Sequence, residues 1–469
     1  MSTTILRGVT VVDTRDGSLT PGVDVAVTRK GITSIGPASD QAALGAVDVS
    51  GKYLIPGYLE MHAHPLESKD PAGSLELMLA YGITGFRQMS GSPKLLGQRA
   101  AGNLPLPKDS PALLALPGTV LSPLNADTAA AAVATVAEQH GAGADFIQVA
   151  FVAPDVFFAA QAEANRLGIG ILGHLPVNID VIRASREGMR SIEHLGPGLG
   201  ILAACSSDEA GVRATLAAQR PLKLPSSRIP FMDRVVATMI KKIAVNPTKL
   251  SRPADVELMR HAVGTFDHGK AKALAAHFVA DGTWQCPTLI RKRTSQLCDA
   301  PEYRTEENLR YVADSTVKTW SAAADTFAKR PAGERAAFRE EFALQLRVTK
   351  LFDEAGVKML AGSDASGAVW EIPGYALHQE FDLLAEAGLS PLRILQMTTL
   401  NGAEFLGRTD TMGTVEVGKQ ADLVLLDANP VEDVKHLHGV SGVVRGGRYY
   451  SAAALGDLKR RVASAKSVH

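Results

Sequence analysis

The spacing of apolar and polar residues changes character twice along this chain. Residues 4–55 fall into short strand-like runs at 5–13, 23–27 and 31–36, parted by Gly- and Asp-containing turns with no helix-period segment between them. The far end reads the same way. Residues 413–427 predict two strands about a Gly-Lys turn, 440–450 predict another pair, and 451–469 form a polar, helical or frayed tail. In the middle, apolar runs at 83–88, 113–117, 146–151, 170–174, 191–194, 283–290 and 358–363 alternate with amphipathic segments such as 128–139 and 156–166. The second of those opens on Pro154-Asp155, a good helix start. With the run Leu59–Glu60–Met61–His62–Ala63–His64 there are eight strands alternating with helices, the number that closes a (β/α)8 TIM barrel.

The pattern therefore predicts an α/β protein: a barrel at 57–407, and a small β-sandwich built from both chain ends, 1–56 and 408–469. Two connections, 206–282 and 291–357, hold more helix than a barrel unit requires. They leave strands six and seven at the end where barrel active sites lie. They read equally as a lid over the mouth or as extra surface used in homo-oligomer contacts.

Composition changes this picture little. At 469 residues the chain exceeds one small core, in keeping with a large unit plus a smaller one. Formal net charge is zero, so nothing favours nucleic acid, an anionic membrane or long-range steering of a charged substrate. Cys205, Cys286 and Cys298 are sparse and lack Cys-x-x-Cys spacing, as expected of reduced thiols in a cytoplasmic protein. No stretch approaches the roughly 20 apolar residues of a membrane span.

The candidate chemistry lies at the strand ends. His62 and His64 are two residues apart, so a strand projects both to one face. His174 ends the fifth strand, His194 the sixth and Asp364 the eighth. A single histidine in such a place is more often a satisfied core residue, but five metal-binding side chains on one end of one barrel point to a divalent metal. Imidazoles with a carboxylate suit zinc first, then manganese, cobalt or iron.

The constellation resembles the amidohydrolase superfamily, in its imidazolonepropionase-like and prolidase-like branch. The resemblance rests on Pro56-Gly-Tyr-Leu-Glu-Met-His-Ala-His64, Ser191-Ile-Glu-His-Leu195, Ala361-Gly-Ser-Asp-Ala365 and the tail Gly413-Thr-Val-Glu-Val-Gly-Lys-Gln-Ala-Asp-Leu-Val-Leu-Leu-Asp427. It implies a metal-dependent hydrolase that cleaves a C–N bond of a small molecule. In this reading Asp364 is both ligand and proton shuttle, and His194 orients water or polarises the carbonyl. The alternative is a deaminase or cyclic-amide hydrolase acting on a ring; a third reading is a scaffold without activity, against which the retained histidines and Asp364 argue.

One departure bears on metal number. Binuclear members of this branch carry a carboxylated lysine on the fourth strand, where this chain has Gln148. A neutral amide is a poor substitute for a bridging anion between two dications. One metal, held by His62, His64, His174 and Asp364, is expected in preference to two. The binuclear alternative puts His174 and His194 on a second metal. Gln148, Arg291 just after the seventh strand, and His378 on a helix after the eighth are candidate substrate contacts.

Overall fold

The strand-forming runs sort into two structures in a computed structural model, which describes residues 3–38, 45–197, 199–218, 245–365 and 367–466. The chain ends supply β1 (Thr4–Val12), β2 (Leu19–Thr28), β3 (Gly31–Pro37), β4 (Ala46–Asp48) and β5 (Tyr53–Pro56). The middle supplies β6 (Tyr58–Ala63), β7 (Ile83–Gln88), β8 (Ala112–Ala115), β9 (Phe146–Val149), β10 (Gly170–Gly173), β11 (Met189–Glu193) and β12 (Trp284–Cys286). The far end adds β13 (Leu423–Leu426), β14 (Val440–Arg445) and β15 (Arg448–Ser451).

The two ends meet in one sheet of order β15-β14-β13-β5-β1-β2-β3, with β4 beside β1. The join is the antiparallel pair β5–β13, Tyr53 opposite Leu426 and Pro56 opposite Leu423. Val23, Val25 and Val27 alternate inward as a half-buried strand requires, into a core shared with Leu54, Leu423, Leu425 and Val444. Both chain ends thus contribute strands to one shared sheet. One expected strand is not formed. Residues 413–417 stay irregular because the neighbouring turn is used elsewhere: Gly418 donates to the Ile32 carbonyl (2.9 Å) and Ile32 to that of Lys419 (2.8 Å). The tail is helical over Ala452–Ala465, capped by the Ser451 hydroxyl.

In the middle, β6-β7-β8 and β9-β10-β11-β12 run parallel in chain order, with crossover helices between most of them, among them Pro71–Ala80 and Pro154–Leu167. The eighth strand survives only as a bridge between Met359 and Gln285. The extended segment still closes the curl: Leu360 donates to the Gln285 carbonyl (2.9 Å), and Met61 of β6 donates to that of Ala361 (3.0 Å). Its irregularity has a steric origin. A Cβ at Gly362 would lie 2.6 Å from His62 Cβ, so only glycine admits this approach, and the next two N–H groups converge on the His62 carbonyl. Across the other gap, Leu121 donates to the Gln148 carbonyl (2.8 Å) and Asp145 to that of Leu116 (3.0 Å).

The seventh strand is shorter than its pattern. It stops at Cys286, before Pro287, which has no N–H to give the ladder, and a helix begins at Leu289 (Leu289–Gln296). Arg291 therefore sits on the first turn of that helix and not at a strand end. The described parts of the long connections pack on each other through Val256, Met259, Trp320, Phe327 and Phe338. That second core includes Val369, Trp370 and Ile372, so it covers the segment just after Asp364. No helix among the described residues is long and apolar enough to cross a membrane.

Candidate metal centre

Period-two alternation along β6 puts Glu60 and His62 on one face, and His64 follows just past the strand end. His62 is buried and His64 half-buried, their rings 5.5 Å apart. Asp364 meets them with one oxygen, Oδ1, 2.9 Å from His64 Nε2 and 3.3 Å from His62 Nε2. Its other oxygen, Oδ2, lies 3.1 Å from Arg291 Nε and 3.8 Å from His194 Nε2. The His194 ring is 4.6 Å from that of His62 and 5.0 Å from that of His174. Four histidines, Asp364 and Arg291 thus stand together at one end of the curled sheet. Asp364 (φ +64°) and His194 (φ +57°) both sit in the left-handed region, a strain that functional sites characteristically hold.

Behind three of the imidazoles stands a second set of residues. His62 Nδ1 is 2.6 Å from Glu193, which accepts from Arg87 (3.0 Å) and from Ser191. Arg87 and Glu193 are fully buried, and Arg87 Nε donates to the Met61 carbonyl. His64 Nδ1 is 2.6 Å from Ser90 Oγ, which donates to Glu67, and His194 Nδ1 meets Thr288 Oγ1. Each of these three rings has Nδ1 occupied and Nε2 turned toward Asp364, the arrangement that fixes the tautomer of a metal-binding histidine. His174 differs: its Nδ1 is buried with no hydrogen-bond partner.

Sequence reasoning missed Glu193 and Arg87. Strand alternation should have put Glu193 on the face opposite His194, but the positive φ at His194 ends the alternation and lets both turn inward. The available signal for Arg87 was a lone charge inside an apolar run, Ile83-Thr-Gly-Phe-Arg87.

The electrostatics favour positive charge at this spot. Burial works against a charged His62, yet Asp364 and Glu193 outweigh it and bring its pKa up to about 9. Burial would raise Glu193, but Arg87 and His62 hold it at about 2. Asp364 resists burial in the same way and lies well below the carboxylate range through His62 and His64. Burial dominates for His174, which falls to about 4, and pushes His194 well below its ordinary value. His174 and His194 are thus neutral imidazoles beside ionised carboxylates, and the positive charge that Asp364 and Glu193 favour on His62 is one a bound divalent cation would supply instead.

The donor set fits such an ion. His62, His64 and Asp364 offer ligand atoms within 4.8 Å of one another, and the partnerless Nδ1 of His174 is a further buried donor. A second group, His62 with Glu193 and Cys286, lies beneath, but there Glu193 is engaged by Arg87, Ser191 and His62.

The remaining candidates are placed as follows. Gln148 is buried on β9, in register with Leu172 two residues before His174, and its Oε1 has no hydrogen-bond partner. His378 is not brought to the site by any described contact. Its helix (Tyr375–Glu386) turns the ring onto Tyr58 and Phe381, where Nε2 lies 2.8 Å from the Tyr81 carbonyl.

Residues 345–449 match the family model of the Amidohydrolase family. Over 59 residues the chain is 42% identical to 5'-deoxyadenosine deaminase of Methanobrevibacter smithii, which is 13% of this chain and 14% of that protein. Over 95 residues it is 30% identical to imidazolonepropionase of Thermoplasma volcanium, 20% of this chain and 23% of that protein. These matches span less than a quarter of the relatives' lengths. Over the whole fold the chain is similar to the solved structure of a bottromycin amidohydrolase, with TM-score 0.71 and 22% identity, covering 99% of this chain and 90% of that one. That likeness is one of fold alone.

Proposed function

We propose that this chain, which carries an amidohydrolase-family segment on an amidohydrolase fold, is a metal-dependent hydrolase cleaving a C–N bond of a small molecule. The observation that carries the reading is the convergence of His62, His64, His174, His194 and Asp364, with Asp364 turning a different oxygen to each side of the cluster. His62, His64, His174 and Asp364 would hold one divalent ion, zinc by the chemistry of the donors. Such an ion, when bound, acidifies a water and polarises a carbonyl.

The chain's own groups supply the rest. Asp364 takes the proton of the attacking water and returns it to the leaving nitrogen, one residue acting as base and then acid. His194, kept neutral by burial, donates at Nδ1 to Thr288, whose own hydroxyl is given to the Pro287 carbonyl, so its Nε2 is an acceptor that orients the attacking water. Gln148 offers its buried amide to the substrate. Glu193 and Arg87 keep His62 in place from below.

A deaminase acting on a ring is a second reading, favoured by the neutral Gln148 where a bridging anion would stand. Product analysis separates the two, because only deamination releases ammonia and leaves the ring whole.

The test is a panel of dipeptides, N-acyl amino acids, lactams and aminated heterocycles, run with zinc-loaded, chelated and Asp364→Asn protein. Asp364→Asn keeps the shape but removes the basic site, so turnover should fall by a factor of about 100 or more. Turnover that survives chelation, or a near-native pH–rate profile in Asp364→Asn, would overturn the reading.

A further inference from the structure

The two oxygens of Asp364 face different surroundings. Oδ1 belongs to the His62–His64 side. Oδ2 belongs to the side where His194 and His174 stand, the half that would hold a second ion in a binuclear centre. That oxygen is met at 3.1 Å by the Nε of Arg291.

Arg291 is not a surface arginine folded over by chance. Its side chain is only 13% exposed, and its Nη1 lies 3.8 Å from the buried carboxyl of Glu371. The helix turn that carries it is anchored in two ways. Thr288 takes a left-handed conformation just before the helix, and the Ile290 N–H donates to Glu380 at 2.8 Å. A guanidinium is charged at every physiological pH. Against Oδ2 it supplies positive charge where a second dication would otherwise have to go.

Resting on the metal-hydrolase reading above, we propose that Arg291 is the resident second cation of this site. It pairs with Oδ2 of Asp364, holds that carboxylate in place, and excludes a second metal from the His174–His194 side. Gln148 and Arg291 are then two parts of one arrangement: the bridging anion is replaced by a neutral amide, and the second dication by a guanidinium. Arg291 acts through Asp364 and is a positioning residue. Its presence, and not only the loss of the strand-four anion, sets the metal count.

Zinc-saturated, desalted protein analysed for metal content tests this independently of turnover. Wild type should carry close to one equivalent. Gln148→Glu restores an anion but leaves Arg291 in place, and should stay near one. The double variant Gln148→Glu/Arg291→Met should rise toward two, and Gln148→Glu/Arg291→Lys, which keeps a cation, should not. Two equivalents in Gln148→Glu alone, or one in the double variant with Met, would overturn the role of Arg291 while leaving the hydrolase reading intact. Circular dichroism checks folding. If the double variant does not fold, the wild type and Gln148→Glu decide: one equivalent in each supports the proposal, and two in either overturns it.

Discussion

Glu193 shows how much a single buried carboxylate carries at this site. It holds His62 Nδ1 at 2.6 Å and balances Arg87, and neither Glu193 nor Arg87 reaches solvent. Such a pair adds little net stability while intact, but removing one partner strands the other's charge. Glu193→Gln keeps the shape and removes the charge. It should destabilise the fold by about 3–5 kcal/mol, the cost of breaking a buried pair. It should also weaken zinc binding by about 10–100-fold, as loss of a histidine's supporting carboxylate does. Thermal melting and competition with a zinc chelator measure the two effects. Unchanged metal affinity in a destabilised variant would mean that Glu193 supports the barrel without orienting His62.

Among the elements, the helix Tyr375–Glu386 carries a pH-dependent contact distant from the metal residues. Burial holds the pKa of His378 down at about 3, against an ordinary value near 6.5, and its ring stays neutral against the Tyr81 carbonyl. Between those two values the unfolded chain takes up a proton that the folded chain refuses. Stability from this group is therefore complete above pH 6.5 and declines as pH falls, by about 1.4 kcal/mol per unit. His378→Gln keeps a donor for Tyr81 and does not titrate, so its melting temperature should fall less between pH 7 and pH 5 than that of wild type. Parallel acid slopes for the two proteins would remove His378 from the acid response. The ring also explains why this histidine is no substrate contact in the described structure: the helix face that bears it is spent on Tyr58, Tyr81 and Phe381.

For the whole molecule, the join between chain ends matters most. β5 leads directly into β6, which bears His62, and β13 covers the edge of β5 along its length. Leu423, Val424, Leu425 and Leu426 are all buried there. A chain ending at residue 407 would lose β13, leaving the apolar β5 edge and the core around Leu54 uncovered, a template for strand pairing between molecules. Such a chain should be recovered mainly as aggregate, whereas one ending at residue 451 keeps β13 to β15 and should remain soluble and able to bind metal. Size-exclusion chromatography distinguishes the outcomes. A monodisperse, zinc-binding 1–407 chain would show that the barrel stands without the shared sheet.

Periodicity carried most of this. Runs such as 83–88 and 170–174 became strands at nearly the expected bounds, and His62 and His64 share a face because period-two geometry leaves them no other choice. Strand-end placement likewise sufficed to nominate His174, His194 and Asp364. Local pattern failed wherever the deciding contact lay far away in the chain. The eighth strand lost its regular ladder because Gly362 lies against His62. Residues 413–417 lost theirs because the adjoining turn pairs with Ile32. Glu193 entered the site because His194 breaks the alternation, and Arg291 reached Asp364 because Pro287 stops a strand and a helix turn begins in its place. The sequence by itself determined which faces are apolar and which residues can bind a metal, since both follow from side-chain chemistry and the short repeat of a strand. Which charge neutralises which, across dozens to hundreds of residues, was decided only by the tertiary structure, because desolvation and Coulomb energy depend on distances that no local repeat encodes.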